Sequence, residues 1–155
     1  MPGTDPEARL ASLGLTLPSV AAPVAAYVPT ARTGSLVFTA GQLPLVDGAL
    51  PLTGKVGAEV TPADAYDLAR QCALNALAAI KAEVGSLSKV RRVVKVVGFV
   101  ASAPTFTGQP AVVNGASDLL GEVFGPAGVH ARSAVGVSVL PLDAPVEVEL
   151  VVEVA

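Results

Sequence analysis

The segment 130–149, HARSAVGVSVLPLDAPVEVE, contains two alternating stretches joined by a turn with two prolines. Successive side chains of a β-strand point to opposite faces, so each stretch predicts a strand with two different faces. In the first, Arg132 shares its face with Ala134, Gly136 and Ser138. The segment therefore predicts two antiparallel strands and places charged side chains on a sheet that is otherwise buried. In the second strand one face is aliphatic and the other is acidic, with Glu147, Glu149 and Glu153 around Val151.

The composition is strongly apolar for a small soluble domain. Of the 155 residues, 52% are hydrophobic, 15% are charged and 4% are aromatic, and the mean hydropathy is +0.61. A domain of this length has a limited interior, and surplus apolar surface is usually covered by another subunit. We therefore expect one domain that forms a homo-oligomer.

Neither of the two long uncharged stretches predicts a membrane helix. Residues 10–31 and 96–117 are long enough to cross a bilayer, but both contain prolines that interrupt a helix. The first ten residues, MPGTDPEARL, lack the pattern of a signal peptide. The single cysteine, Cys72, is predicted to be a small buried thiol rather than a disulfide partner. These features favour a cytoplasmic protein.

The charge pattern argues against a nucleic-acid partner. The net charge is −3, and the one basic cluster, residues 89–95 (KVRRVVK), is typical of the solvated face of a strand. The sequence contains no phosphate-binding loop and no dinucleotide fingerprint. His130 is the only histidine, which excludes a multi-histidine metal site within one chain. We expect neither a metal nor another cofactor.

The remaining segments predict helices between strands. Residues 1–23 predict a short helix around residues 6–13 followed by an extended arm, and residues 24–155 predict a single domain. One helix is predicted from a cap at Thr61 to a stop at Gly85, and a second from about Pro110. The order β-β-α-β-α-β-β predicts an α+β fold, a mixed sheet with both helices on one face.

Several motifs resemble those of the RidA/YjgF family. The opening segment is similar to the family's Arg-Ser pair, which is followed by Leu-Pro and an acidic strand. The resemblance covers about residues 24–155, with the motifs in the family's order. Three further stretches carry it: 26–44 (AYVPTARTGSLVFTAGQLP), 70–102 (RQCALNALAAIKAEVGSLSKVRRVVKVVGFVAS) and 112–125 (VVNGASDLLGEVFG).

The resemblance implies a chorismate-mutase-like fold and a homotrimer with clefts between its subunits. It also implies cofactor-free hydrolysis of 2-imino or enamine acids, which pyridoxal-phosphate enzymes release, to 2-keto acids and ammonium. By position, Arg132 would hold the substrate carboxylate and Glu147 would place or deprotonate the attacking water. The resemblance assigns the supporting positions to Tyr27, which would close the cleft, to Asn114, which would donate or accept hydrogen bonds, and to Gly41 and Gln42, whose backbone would line the pocket.

His130 stands where the family commonly has proline, and it is a candidate ligand or acid–base group as well as a candidate structural residue. Counting residues from the turn between the last two strands separates Arg132 from Glu147 by roughly 20 Å in one subunit. A site that uses both residues must then be built across an interface. The spacing alone favours an Arg–Glu pair that seals a subunit contact over a ligand site, because ion-pair networks are commoner than binding sites.

Two other functions compete with the deaminase. One is a non-catalytic binder of a small carboxylate-bearing metabolite, or an interaction protein, on the same trimer. It is favoured by Ala40 and Ala134, which stand where typical deaminases carry serine and cysteine. The other is an endoribonuclease or translation inhibitor, a label attached to some relatives. The acidic charge and the few aromatic residues argue against it.

Overall fold

The computed structural model describes residues 5–20 and 25–155. In this part of the chain a five-stranded mixed sheet, in the order β1-β2-β5-β3-β4, packs against two long helices, and the predicted α+β class and order of elements are confirmed. The elements in chain order are α1 (Pro6–Ser12), β1 (Thr30–Thr33), β2 (Leu36–Thr39), α2 (Pro62–Val84), β3 (Val90–Ala101), α3 (Gln109–Phe124), β4 (Ala131–Val137) and β5 (Val146–Val154).

The ends of α2 follow the sequence signals. The Thr61 hydroxyl accepts a hydrogen bond from the Asp64 N–H at 3.1 Å, and Pro62 occupies the first helical position. At the other end Gly85 adopts φ 91°, a conformation that glycine reaches without steric cost, and its N–H donates to the Lys81 carbonyl at 2.7 Å. α3 begins at Gln109, one residue before the predicted start.

β5 lies at the centre of the sheet and pairs antiparallel with both β2 and β3. Because β3 pairs parallel with β4, the last two strands run antiparallel with one strand between them, as the sequence predicts. The aliphatic face of β5 is buried against the helices, and its acidic face is half-buried on the opposite side of the sheet. The buried side chains of β5 are Val146, Val148, Leu150, Val152 and Val154, none more than 1% exposed.

The N-terminal helix belongs to the same core. Leu10 is 2% exposed and packs within the main hydrophobic cluster. The Glu7 carboxylate accepts hydrogen bonds from the Leu87 N–H and the Ser86 hydroxyl and pairs with Lys81, which ties α1 to the end of α2. The predicted boundary between arm and domain, at residues 23 and 24, lies outside the described residues.

The sheet face opposite the helices carries apolar side chains that remain accessible. Phe38 is 42% exposed and Val135 is 45% exposed, and Phe99 and Val151 are half-buried beside them. Exposed apolar side chains gathered on one sheet face are typical of a surface that contacts another molecule. Within the described ranges, no helix has both the length and the apolar character needed to cross a membrane.

The crossing of α2 and α3 requires a glycine, and this makes a testable prediction. A Cβ on Gly115 would lie 1.9 Å from the Tyr66 carbonyl oxygen, so Gly115→Ala must push the two helices apart. We expect it to lower the free energy of unfolding by about 2–4 kcal/mol in a denaturant titration.

Gly121→Ala on the same helix is the matched control. A Cβ there would meet nothing within 4 Å, so alanine should stabilise the protein by about 0.5–1 kcal/mol through its higher helix propensity. Equal effects of the two substitutions would contradict the close helix contact.

Candidate functional site

Arg132 lies on the edge strand β4, on the sheet face that the helices cover. Its Nη1 donates to Asn114 Oδ1 at 2.8 Å and to Ser117 Oγ at 3.1 Å, and its Nη2 donates to the Pro110 carbonyl at 3.3 Å. All three acceptors belong to α3, so the helix fixes the guanidinium against the sheet edge. Among the described residues, the Nε–H and one N–H of Nη2 have no acceptor within hydrogen-bonding distance.

His130 is attached to the same cluster through Ser117. Its Nδ1 lies 2.6 Å from the Gly128 carbonyl oxygen and its Nε2 lies 2.9 Å from Ser117 Oγ. A carbonyl only accepts, so the neutral imidazole carries its hydrogen on Nδ1, and the Ser117 hydroxyl donates to Nε2. Both ring nitrogens therefore have protein partners.

Glu147 forms the centre of a second cluster, on the open face of the sheet. Between the pairs Phe38–Val151 and Gln42–Val148, four steps along the chain oppose three on β5, which is a one-residue bulge. The bulge brings Gly41 against Glu147. A Cβ on Gly41 would lie 2.5 Å from Glu147 Oε2, so the absence of a side chain makes room for the carboxyl group.

Hydrogen bonds hold the bulge in place. Thr39 is 7% exposed, and its hydroxyl accepts a hydrogen bond from the Leu150 N–H at 3.0 Å. Gln42 exchanges two backbone hydrogen bonds with Val148, at 2.8 and 3.0 Å. On the helix side, Asn75 Nδ2 donates to the carbonyls of Leu43 and Leu45, both at 3.0 Å, and so fixes the chain after the Gly-Gln pair.

Burial raises the pKa of Glu147 above its ordinary value of 4.5, and the nearby Glu149 carboxylate raises it further. Among the described residues, neither Glu147 nor Glu149 has a cation within ion-pair distance. Glu147 is therefore a partly desolvated carboxyl group that forms no ion pair within the described part of the chain.

Tyr27 lies two residues before Pro29, whose carbonyl accepts the Ala40 N–H at 2.8 Å, and its side chain is 49% exposed. The structure, over the residues that it describes, gives Tyr27 no contact with the other predicted site residues, which form two groups. Arg132, Asn114 and His130 lie together beside α3, and Glu147, Gly41 and Gln42 lie around the bulge.

The two groups occupy opposite faces of the sheet. Arg132 is level with Val96, which is buried beneath the helices, whereas Glu147 is level with Phe99 on the open face. The Cα positions of Arg132 and Glu147 are separated by three residues along the strands, about 10 Å, and by two strand spacings across the sheet, also about 10 Å. The predicted separation of roughly 20 Å along the sheet is wrong, because residues 138–145 leave the sheet and cannot be counted as strand. The two side chains still cannot share a small ligand within one chain, because the sheet lies between them.

The sequence analysis missed Ser117, which joins Asn114, Arg132 and His130 into one hydrogen-bonded cluster. A signal was available, since Asn114 and Ser117 are three residues apart on a predicted helix and so share a face. Cys72 is buried, as predicted, and burial raises the pKa of its thiol. In residues 5–20 and 25–155, no group of three or more His, Cys, Asp or Glu side chains could hold a metal ion.

A protein-family model described as "YjgF/chorismate mutase-like, putative endoribonuclease" matches residues 7–154. The chain belongs to this family. The fold of this family and the resemblance recognised in the sequence are therefore confirmed, and the match extends into the N-terminal helix α1.

Two family relatives resemble the chain over almost its whole length. The protein TCP17 of Trypanosoma cruzi is 46% identical over 147 residues, which cover 94% of this chain and 92% of TCP17. The crystal structure of the protein Atu1372 from Agrobacterium tumefaciens is 48% identical, with a TM-score of 0.91, and the alignment covers 97% of this chain and 92% of Atu1372.

A more distant relative was solved with a ligand. TdcF of E. coli, crystallised with bound serine, is 26% identical with a TM-score of 0.61, and the alignment covers 90% of this chain and 96% of TdcF. The lower TM-score places this chain nearer to Atu1372 than to TdcF, in keeping with a divergent subgroup of the family.

The raised pKa of Glu147 predicts a pH-dependent effect of its removal. An acid whose pKa is higher in the folded state stabilises the fold below its unfolded-state pKa, and this advantage is lost as the pH rises through the folded-state pKa. Glu147→Gln should therefore raise the melting temperature at about pH 8 and have little effect below pH 4.5, the ordinary value.

Glu83→Gln on the exposed side of α2 makes the same change of charge without the burial. Thermal melts of both variants at the two pH values separate the local effect from the change in net charge. A Glu147→Gln variant with a lower melting temperature at pH 8 would show that the carboxylate has a favourable partner in solution.

Proposed function

We propose that this protein hydrolyses 2-imino or enamine acids to 2-keto acids and ammonium, in clefts between the subunits of a homotrimer. The observation that carries the proposal is the division of the site. Within residues 5–20 and 25–155, a guanidinium with free donors lies on one face of the sheet, and a carboxyl group without an ion-pair partner lies on the other. The guanidinium has donors for a carboxylate, and the carboxyl group needs a cation. In the proposed trimer, each cleft would combine the guanidinium of one subunit with the carboxyl group of another.

Arg132 would bind the substrate carboxylate. A guanidinium offers two parallel N–H donors that match both oxygens of a carboxylate, and Arg132 keeps its Nε–H and one Nη2 N–H for this contact. Asn114 and Pro110 hold the other side of the guanidinium, so little conformational entropy is lost when the substrate binds.

Glu147 of the adjacent subunit would act on the water molecule. Water adds to C2 of the protonated imine while Glu147 takes one of its protons, which gives a neutral carbinolamine. Glu147 returns this proton to the nitrogen. The C–N bond then breaks as the C2 hydroxyl becomes the carbonyl, the hydroxyl proton passes to the departing ammonia, and the 2-keto acid and ammonium leave. A carboxyl group with a raised pKa suits both transfers, because its proton affinity lies closer to that of the groups it serves near neutral pH.

The other predicted residues would shape the same cleft. Gly41 gives the Glu147 carboxyl group its space, and the Gln42 backbone holds the bulge on β5. Tyr27, whose side chain is exposed, would close over a substrate held by the neighbouring Arg132. No step needs a metal or another cofactor, because an imine carbon is already electrophilic.

The open face of the sheet supports a partner that is a second copy of the chain. The open sheet face combines accessible Phe38 and Val135 with the half-buried Glu147, so covering it would bury apolar surface and bring a cation to the carboxyl group.

The family relative TdcF binds serine, an amino acid with the same carboxylate as the proposed substrates. Extending this property of TdcF to the present chain, we propose that the cleft accepts small amino-acid-like molecules.

A second candidate is a binder of small carboxylates without turnover. It is favoured by Ala134, which follows Arg132 on the same face and packs its methyl group on the core, so that it adds no polar group beside the guanidinium. An endoribonuclease has less support, because Glu147 and Glu149 flank the exposed aromatic face and would repel phosphates.

The deaminase proposal is tested by generating 2-iminopropanoate in solution and measuring pyruvate release. The wild type should accelerate hydrolysis. Arg132→Ala should lower kcat/KM about 100-fold, and Glu147→Gln should lower kcat by a similar or larger factor. Arg91→Ala, on an exposed part of β3, is the matched arginine control. Tight pyruvate binding by a wild type that does not accelerate the reaction would favour the binder.

Mixing the two inactive variants tests whether the site is shared. In a statistical mixture of trimers, each cleft has about one chance in four of combining an intact Arg132 with an intact Glu147. Co-refolded Arg132→Ala and Glu147→Gln chains should thus recover about a quarter of the wild-type activity. Light scattering should show a mass three times the 15.4 kDa of the chain. A monomer, or no recovery, would refute a composite site.

Gly41→Ala should separate activity from stability. The added Cβ would strike the Glu147 carboxyl group, the mobile end of a side chain, which can move aside at little cost to the fold. We expect kcat to fall about tenfold or more with a nearly unchanged melting temperature. Full activity in this variant would show that Glu147 does not act from its observed position.

A further inference from the structure

We infer that Ser117 and His130 are positioning residues for Arg132, and that together they determine which donors of the guanidinium remain free for a carboxylate. The inference deepens the proposed function and rests on it, because it takes Arg132 as the group that binds the substrate. Neither residue is expected to touch the substrate.

The first step concerns the donors of Arg132. Nη1 carries two N–H groups, and both are used, one by Asn114 Oδ1 and one by Ser117 Oγ. Nη2 gives one N–H to the Pro110 carbonyl. What remains is the Nε–H and one N–H of Nη2, on the two nitrogens whose shared edge a carboxylate can bind through both oxygens. Because Asn114 and Ser117 use both N–H groups of Nη1, a substrate carboxylate must bind at Nε and Nη2.

The second step concerns the hydroxyl of Ser117, which can rotate. A serine inside a helix often turns its O–H toward the carbonyl four residues earlier, which here belongs to Val113. His130 Nε2, 2.9 Å from Ser117 Oγ, is an alternative acceptor that turns the Ser117 O–H away from the Val113 carbonyl. A hydroxyl that donates to Nε2 turns a lone pair toward Arg132 Nη1, 3.1 Å away.

The third step concerns the imidazole itself. His130 can accept at Nε2 only if its hydrogen is on Nδ1, and the Gly128 carbonyl at 2.6 Å enforces this tautomer. Gly128 is buried where the chain leaves the 3₁₀ turn Gly125–Gly128. A chain of hydrogen bonds connects this backbone carbonyl to His130, His130 to Ser117, and Ser117 to Arg132. The fold of the turn therefore fixes the orientation of the guanidinium.

The tautomer is directly measurable because His130 is the only histidine of the chain. In ¹⁵N-labelled wild type at about pH 8, where an ordinary imidazole is neutral, a two-bond ¹H–¹⁵N correlation should show a protonated Nδ1 and an unprotonated Nε2. Addition of pyruvate, the keto-acid probe, should shift the Nε2 signal through Ser117. An imidazole protonated on Nε2 would overturn the inference.

Substitutions at Ser117 test the effect on Arg132. Ser117→Ala should raise KM for 2-iminopropanoate and Kd for pyruvate about tenfold, since a hydrogen bond to a charged group is lost, while kcat changes less than about threefold. Ser117→Thr keeps the hydroxyl and should restore both constants to within about threefold of wild type. Ser12→Ala, which removes an exposed hydroxyl that donates to the Arg9 carbonyl, should change neither.

The outcomes separate this inference from the proposed function. If the wild type binds pyruvate through Arg132 but does not hydrolyse imines, the function fails and the positioning role stands on the binding data. If hydrolysis depends on Arg132 but Ser117→Ala equals wild type, or Ser117→Thr equals Ser117→Ala, the positioning role fails alone. Pyruvate binding that is absent, or unchanged in Arg132→Ala, overturns the positioning role.

Discussion

Burial of the aliphatic face of β5 is the constraint on which the rest of the structure depends. β5 is the central strand, and each valine or leucine on this face contributes about 1.5–3 kcal/mol when it is removed from water. A shift of one residue in its pairing would turn Glu147 and its acidic neighbours into the helix interface. The pairing of β2 and β3 with β5 is therefore fixed, and the carboxyl groups are directed to the open face.

The same constraint divides the candidate site. Arg132 is level with the buried Val96 and is held by α3, whereas Glu147 is held on the other face by the bulge that contains Gly41. A sheet that separates two reactive groups in one chain brings them together only through a second chain. The apolar side chains on the open face are typical of a surface that contacts another molecule, and in the proposed trimer this molecule is a second chain. In the proposed trimer, the subunit contact and the chemistry would use the same surface.

Much of this architecture follows from local signals in the sequence. Thr61 and Gly85 bound a helix because cap residues act on neighbouring backbone groups, and the alternation of β5 separates its faces because the strand period is two. Family motifs indicated Arg132, Asn114, Glu147 and Gly41 as neighbours of a site. The separation of Arg132 and Glu147 was not predictable by counting, because the intervening loop does not follow the strand direction.

The sequence by itself determined the fold class, the buried and acidic faces of β5, and the residues that carry the charges. Each of these depends on residues close together in the chain or on their period. Only the tertiary structure decided that Ser117 joins His130 and Arg132 in one hydrogen-bonded cluster, that Thr39 supports a bulge at Gly41, and that the two charged groups lie on opposite faces. These contacts join distant segments, and their geometry is set by the packing of α3 on β4 and of the bulge on β5.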